Sequence, residues 1–88
     1  MPRFFLHIDD GTQQIEDQEG SELPDLDDAR EEAIGAARQL WSAAILDGRD
    51  IGAGSFLIAN DQEEIITSIK MDDALPEGLI DRLMFPEG

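Results

Sequence analysis

The sequence contains no cysteine and no tyrosine. Without cysteine there is no disulfide framework, no thiolate metal site and no thiol nucleophile. Positive charge is scarce too: six Lys and Arg face 21 Asp and Glu, a formal net charge of −15. That field repels phosphate backbones and anionic lipid surfaces, because binding either requires Lys and Arg to displace counterions. Neither nucleic acid nor membrane is therefore an expected partner. No apolar run approaches the roughly 20 residues of a membrane-spanning helix. A secretory leader is not expected either, since Arg3 is followed by only five uncharged residues before Asp9 and Asp10, too short for its apolar segment. A cytoplasmic protein is the expectation that remains.

What is present suffices for one small domain. The 88 residues predict a single domain over 1–88, with a compact core at about 2–75 and an apolar C-terminal extension at 76–88. A chain this short buries only roughly 60–65% of the surface its unfolded form exposes, so association with a partner is a natural source of further burial. The 41% hydrophobic content suits a folded globule better than a disordered tail. The acid excess reads first as solubility. It also fits a basic protein partner, bound cations or mimicry of nucleic acid.

Residues 3–8 alternate, with Phe4, Leu6 and Ile8 on one face and Arg3, Phe5 and His7 on the other, which is the period of a strand. Asp10-Gly11 predicts a tight hairpin turn. Gln13 to Glu16 follows as a short return strand, and Asp17 to Glu22 as an acidic loop. The stretch LPDLDDAREEAIGAARQLWSAAILDG predicts a long helix: Asp25 caps its start, acids fill its first turns and Asp47-Gly48 ends it. Leu26, Ala29, Ala33, Ala36, Ala37, Leu40, Trp41 and Ala44 fall on one broad face. The alanines permit close approach to a sheet, while Leu40 and Trp41 add bulk, so Trp41 reads as core. Arg30 lies inside the same arc, with its stem expected to cross the core edge towards carboxylates. Glu31, Glu32, Gly35, Arg38, Gln39 and Ser42 fall opposite.

Ser55 to Asn60 forms the next strand pattern, with Phe56 and Ile58 on one face, and Asn60 to Glu63 a turn. Ile65, Thr67, Ile69 and Met71 then share one face of a last strand, with Ile66, Ser68 and Lys70 on the other. From Pro76, Leu79, Ile80, Leu83 and Met84 recur at helical spacing and predict a short C-terminal helix. The expected fold is α+β: a two-layer ββαββ arrangement, with a mainly antiparallel four-stranded sheet and one long amphipathic helix on one face. The opposite face carries Phe5, His7, Leu57 and Ile66 and asks for a cover. Together with Leu79, Ile80, Leu83 and Met84 of the extension it is the expected interaction face, for self-association or for a basic protein partner.

Several short motifs recur in one order: Pro2-Arg3-Phe4-Phe5-Leu6-His7, Asp10-Gly11, the loop Asp17-Gln18-Glu19-Gly20, and Glu22-Leu23-Pro24-Asp25-Leu26 leading through Ala29-Arg30 into an alanine-rich helix. Over roughly residues 2–75 this combination resembles a family of small bacterial proteins, common in soil and plant-associated species and known only as a domain of unknown function. Members typically begin with Pro-Arg, three aromatics and then His or Asp. Here Leu6 stands where an aromatic is usual and Gln18 where proline is usual, and the tail after Leu75 is longer than typical. The resemblance implies the fold. It brings no activity, cofactor or catalytic residue with it.

The residues themselves point to no catalytic group. His7 and Asp9 share a strand face about 7 Å apart, but no readable nucleophile accompanies them. His7 reads as a polar side chain on the less buried sheet face. Asp9, Asp10, Asp17 and Glu19 are candidate oxygen ligands for calcium or magnesium. Their spacing departs from the calcium-loop pattern, and a solvated acidic loop accounts for the same residues. One His and no Cys speak against zinc or copper. Gly52-Ala53-Gly54 is too short for a nucleotide-phosphate cradle. No cofactor is expected. The function read from sequence is protein–protein contact, with a cation- or ligand-binding module at residues 9–22 as the alternative.

Overall fold

The computed structural model of the chain describes residues 1–76. The elements run β1 (Arg3–Asp9), β2 (Gln14–Ile15), β3 (Ser21–Glu22), α1 (Leu26–Asp47), β4 (Ser55–Ala59) and β5 (Ile65–Lys70), followed by a 3₁₀ turn at Met71–Ala74. The C-terminal helix expected from Leu79, Ile80, Leu83 and Met84 lies outside the described residues. The sheet is antiparallel in the order β2-β1-β4-β5, and α1 packs against one face of it. This is the two-layer α+β fold that the strand and helix patterns predict.

The two longest-range neighbours, β1 and β4, form the centre. Leu6 lies opposite Ile58 and Ile8 opposite Phe56, so the apolar faces of both strands point towards the helix. Ile58 is fully buried, which contributes about 1.5–3 kcal/mol relative to an exposed side chain. Around it pack Phe4, Phe56, Ile69 and Met71.

The return strand after β1 differs from expectation. It comes in two pieces along the same edge of β1: β2 pairs Ile15 with Ile8, and β3 pairs Ser21 with Phe4. Between them the Leu6 N–H donates to the Asp17 carboxylate at 3.1 Å, where a continuous strand would have offered a carbonyl. The expected return strand has only Ile15 to anchor it, and a side chain takes over where it ends. The hairpin loop is also wider than a tight turn, spanning Asp10–Gln13 between the paired Asp9 and Gln14. The Asp10 carboxylate accepts from the Thr12 and Gln13 N–H groups and the Thr12 hydroxyl at 2.8–2.9 Å.

Helix α1 begins and ends where its signals lie. The Asp25 carboxylate accepts from the Asp28 N–H at 2.9 Å, and Gly48 closes the helix in the left-handed conformation at φ 73°, the ordinary glycine stop. Its buried stripe is narrower than the expected face. Ala29, Ala33, Ala37, Trp41 and Ala44 are buried, whereas Leu40 is 38% exposed. Small residues bring the helix axis close to the sheet, so a residue 100° round from Trp41 already clears the contact. The Trp41 indole N–H donates to the Met71 carbonyl at 2.8 Å, fixing Trp41 as core. Arg38, expected on the polar face, donates through Nε to the Ala74 carbonyl at 2.7 Å and ties the 3₁₀ turn to the helix. Arg30 reaches the Thr67 hydroxyl, at 3.4 Å, rather than a carboxylate.

Strand β5 departs from strict alternation. Thr67 lies opposite Ile58 but Ile65 lies opposite Ala59, so a bulge leaves Ile66 without a partner. Ile65 consequently leaves the core face predicted for it and is 57% exposed. The β4–β5 turn is held by the Asn60 side chain, which accepts from the N–H groups of Gln62 and Glu64 at 2.9 and 3.0 Å.

Candidate functional site

The sheet face away from α1 is built on odd-numbered positions of β1 and β4. Phe5 and His7 project from it two residues apart, with ring centroids 6.3 Å apart and planes inclined by 16°. In register, Phe5 faces Ala59 and His7 faces Leu57. The bulge adds Ile65 to this side, beside Phe5 and His7. Ile66 stands at the bulge, 44% exposed.

Asp17 organises the rim. Its N–H donates to His7 Nδ1 at 3.0 Å, and a neutral ring accepting there carries its proton on Nε2. Its carboxylate accepts from the N–H groups of Leu6, Gly20 and Glu19 at 3.1, 3.1 and 3.3 Å. Burial works to raise the Asp17 pKa, but these backbone donors, led by Leu6, and the neighbouring His7 outweigh it and hold the carboxyl below its ordinary value. Gly20 sits at φ 69°, and a Cβ there would come within 2.8 Å of the Phe5 ring and 3.0 Å of the Phe4 carbonyl. Only glycine lets the loop lie this close to β1. Arg3 closes the other end, donating to the Glu19 carbonyl at 2.7 Å and pairing with Glu22 at 3.1 Å.

The result is a shallow concavity of about 410 Å³ lined by Phe5, His7, Gln14, Glu16, Asp17, Gln18, Glu63 and Ile65. Its lining holds carboxylates, amides and aromatic faces, with no hydroxyl, thiol or amine. Such a lining accepts hydrogen bonds through its carboxylates and favours positive charge.

The four candidate oxygen ligands stand apart in role. The Asp9 carboxylate accepts from the Gly11 N–H at 2.9 Å. Asp10 is occupied by the turn, whose Gln13 and Thr12 N–H groups hold its carboxyl below the ordinary value. Asp17 is bound to backbone N–H groups, and Glu19 is exposed. Among the described residues no group of three or more His, Cys, Asp or Glu is gathered to hold a metal ion. His7 takes its polar partner from Asp17, not from Asp9. Of the expected interaction face, Phe5, His7 and Leu57 lie together and Ile66 lies at the bulge, while Leu79, Ile80, Leu83 and Met84 are outside the described residues. Sequence reasoning named Asp17 only as a candidate oxygen ligand and missed its part in holding the loop to β1, as it missed Glu63 and Ile65 as members of this face. A findable signal was present in Asp17-Gln18-Glu19-Gly20, where an aspartate that can turn its own loop precedes a glycine.

The architecture and this face define a small two-layer α+β domain with one sheet face left open among its described residues. The chain belongs to the family described as domain of unknown function (DUF6894), whose model matches residues 3–72. The match runs from the start of β1 into the 3₁₀ turn, and so covers both layers. No curated protein matches the chain, and no solved structure does. Among the described residues no helix is long and apolar enough to cross a membrane.

Proposed function

We propose that this is a non-enzymatic cytoplasmic protein that works by protein–protein contact on the side of the sheet opposite α1, first of all with a second copy of itself. The observation that carries this reading is the open face: Phe5, His7 and Leu57 are only partly buried, and Ile65 and Ile66 beside them are 57% and 44% exposed. Apolar surface gathered on one side of a small domain gains from a protein cover. Size-exclusion chromatography with light scattering tests it. The expected result is a mass of two chains at tens of micromolar; a clean monomer there removes the self-association.

A second reading rests on a different observation, the acidic concavity between Phe5, His7, Glu16, Asp17 and Glu63. It supports a cation- or ligand-binding role for the hairpin and loop at residues 9–22, or the docking of a basic protein partner there. Calorimetric titration with calcium and with magnesium, followed by amide shifts, addresses the cation. Heat together with shifts at residues 9–22 supports it, and their joint absence eliminates it.

A further inference from the structure

We infer that the concavity on the open sheet face receives an arginine side chain presented by a basic segment of another protein. The inference rests on the second reading above and names the group that a basic partner inserts. The floor is aromatic and already in place. The Phe5 and His7 rings lie two residues apart with planes inclined by only 16°, so they present flat faces of nearly one orientation. Each ring is held from the side. The Asp17 N–H fixes the His7 ring through Nδ1, and the loop at Gly20 lies against the Phe5 ring. Rings held before binding lose little freedom when a partner arrives. The volume of about 410 Å³ leaves room for one long side chain.

Charge and shape select the occupant. Glu16 and Glu63 line the concavity and are exposed, and neither of the two ion pairs among the described residues involves them. Glu63 is held there at a backbone cost. With φ 65° it is the one non-glycine residue at positive φ among the described residues, a conformation in which glycine or asparagine is ordinary. The turn around it is closed by Asn60, whose carbonyl and side chain accept from the N–H groups of Gln62, Glu63 and Glu64. None of these bonds uses the Glu63 side chain, which lines the concavity instead. A cation seated between aromatic faces and carboxylates is attracted by both. Arginine fits better than lysine. Its planar group stacks on rings while its fork bonds a carboxylate, and it sheds water more readily than an ammonium. An acidic segment is repelled by this rim and by the formal net charge of −15.

Calorimetry and amide shifts on the full chain test this, using a short blocked Gly/Arg peptide and a Gly/Lys peptide of equal length and charge. The Arg peptide is expected to bind about fivefold or more tightly than the Lys peptide, and to move the amides of Phe5, His7, Glu16 and Glu63. Phe5→Leu, checked for an unchanged fold by circular dichroism, is expected to abolish that preference. Glu63→Asn relieves the backbone and removes the carboxylate. It is expected to weaken the Arg peptide by a similar factor while raising Tm more than Glu32→Gln, which removes the same charge from the exposed side of α1. A Tm that falls in Glu63→Asn assigns the residue to the turn and removes it from the site. If the two peptides bind alike and neither Phe5→Leu nor Glu63→Asn changes this, the inference falls while the docking of a basic partner stands. If neither peptide binds, both fall, and a dimer in light scattering then makes a second copy the occupant of the face.

Discussion

Asp17 shows how much one side chain can organise. It links β1, which it approaches through Leu6 and His7, to the tight loop that ends in Gly20. Asp17→Ala leaves three backbone N–H groups without their acceptor. The expected cost is about 1–3 kcal/mol at neutral pH, since hydrogen bonds to a charged acceptor are the stronger kind and water can replace part of them at a rim. Urea unfolding followed by Trp41 emission measures it. The pH dependence has a definite sign. The folded Asp17 pKa lies below its usual 3.8, so its contribution is complete above that value and is lost as pH falls through the lower folded value. The stability curves of the natural chain and Asp17→Ala should therefore be separated at neutral pH and converge on the acid side of 3.8. Curves that stay parallel down to that range would show that the charge on Asp17 does not act in folding.

At the scale of elements, the helix–sheet contact is set by small residues. Ala29, Ala33 and Ala37 are completely buried, each four residues from the next, while Leu40 on the same predicted face is partly in solvent. Two substitutions separate these positions. Ala33→Leu forces bulk into a contact already closed and is expected to cost about 1–3 kcal/mol. Leu40→Ala removes a side chain that is 38% exposed and is expected to cost under about 1 kcal/mol. Thermal melts of the two variants check the order, and a larger loss for Leu40→Ala would mean the buried stripe is placed wrongly. The same contrast marks what the chain discloses before it folds. The alternation of β1, the Asp25 cap and the Gly48 stop are local properties, and each lies where its residues place it. The narrowness of the helix stripe depends on how near the sheet comes, which no period reveals. The Ile65 bulge and the division of the return strand depend on partners across a turn, Ala59 for one and Leu6 for the other, and on how each pair settles in the sheet. The open face was legible through Phe5, His7 and Leu57. Its acidic rim was not, because Glu16, Asp17 and Glu63 come from two separate turns that only the fold brings together.

The whole molecule carries its charge as an unrelieved load. With a formal net charge of −15 and only two ion pairs among the described residues, both exposed, little of the repulsion is offset locally, since exposed pairs contribute little. Repulsion between like charges spread over a small domain favours the expanded chain. Salt shortens the reach of that repulsion, from about 30 Å at 0.01 M to under about 10 Å above 0.1 M. Raising NaCl from about 0.01 M to about 0.5 M, a range that spans this change in Debye length, should therefore stabilise the fold. A gain near 1 kcal/mol corresponds to about 4–8 °C in Tm for a domain of this size. Differential scanning calorimetry at one protein concentration measures the shift. Choosing chloride over sulfate keeps the comparison on screening, because sulfate strengthens apolar burial by a separate route. A Tm that stays flat or falls would mean that attraction within the fold, not repulsion across it, governs the acidic surface. The same screening should tighten the proposed dimer, in which two such molecules meet. Dimer affinity that drops with salt would mean that attraction between opposite charges across the contact outweighs the repulsion.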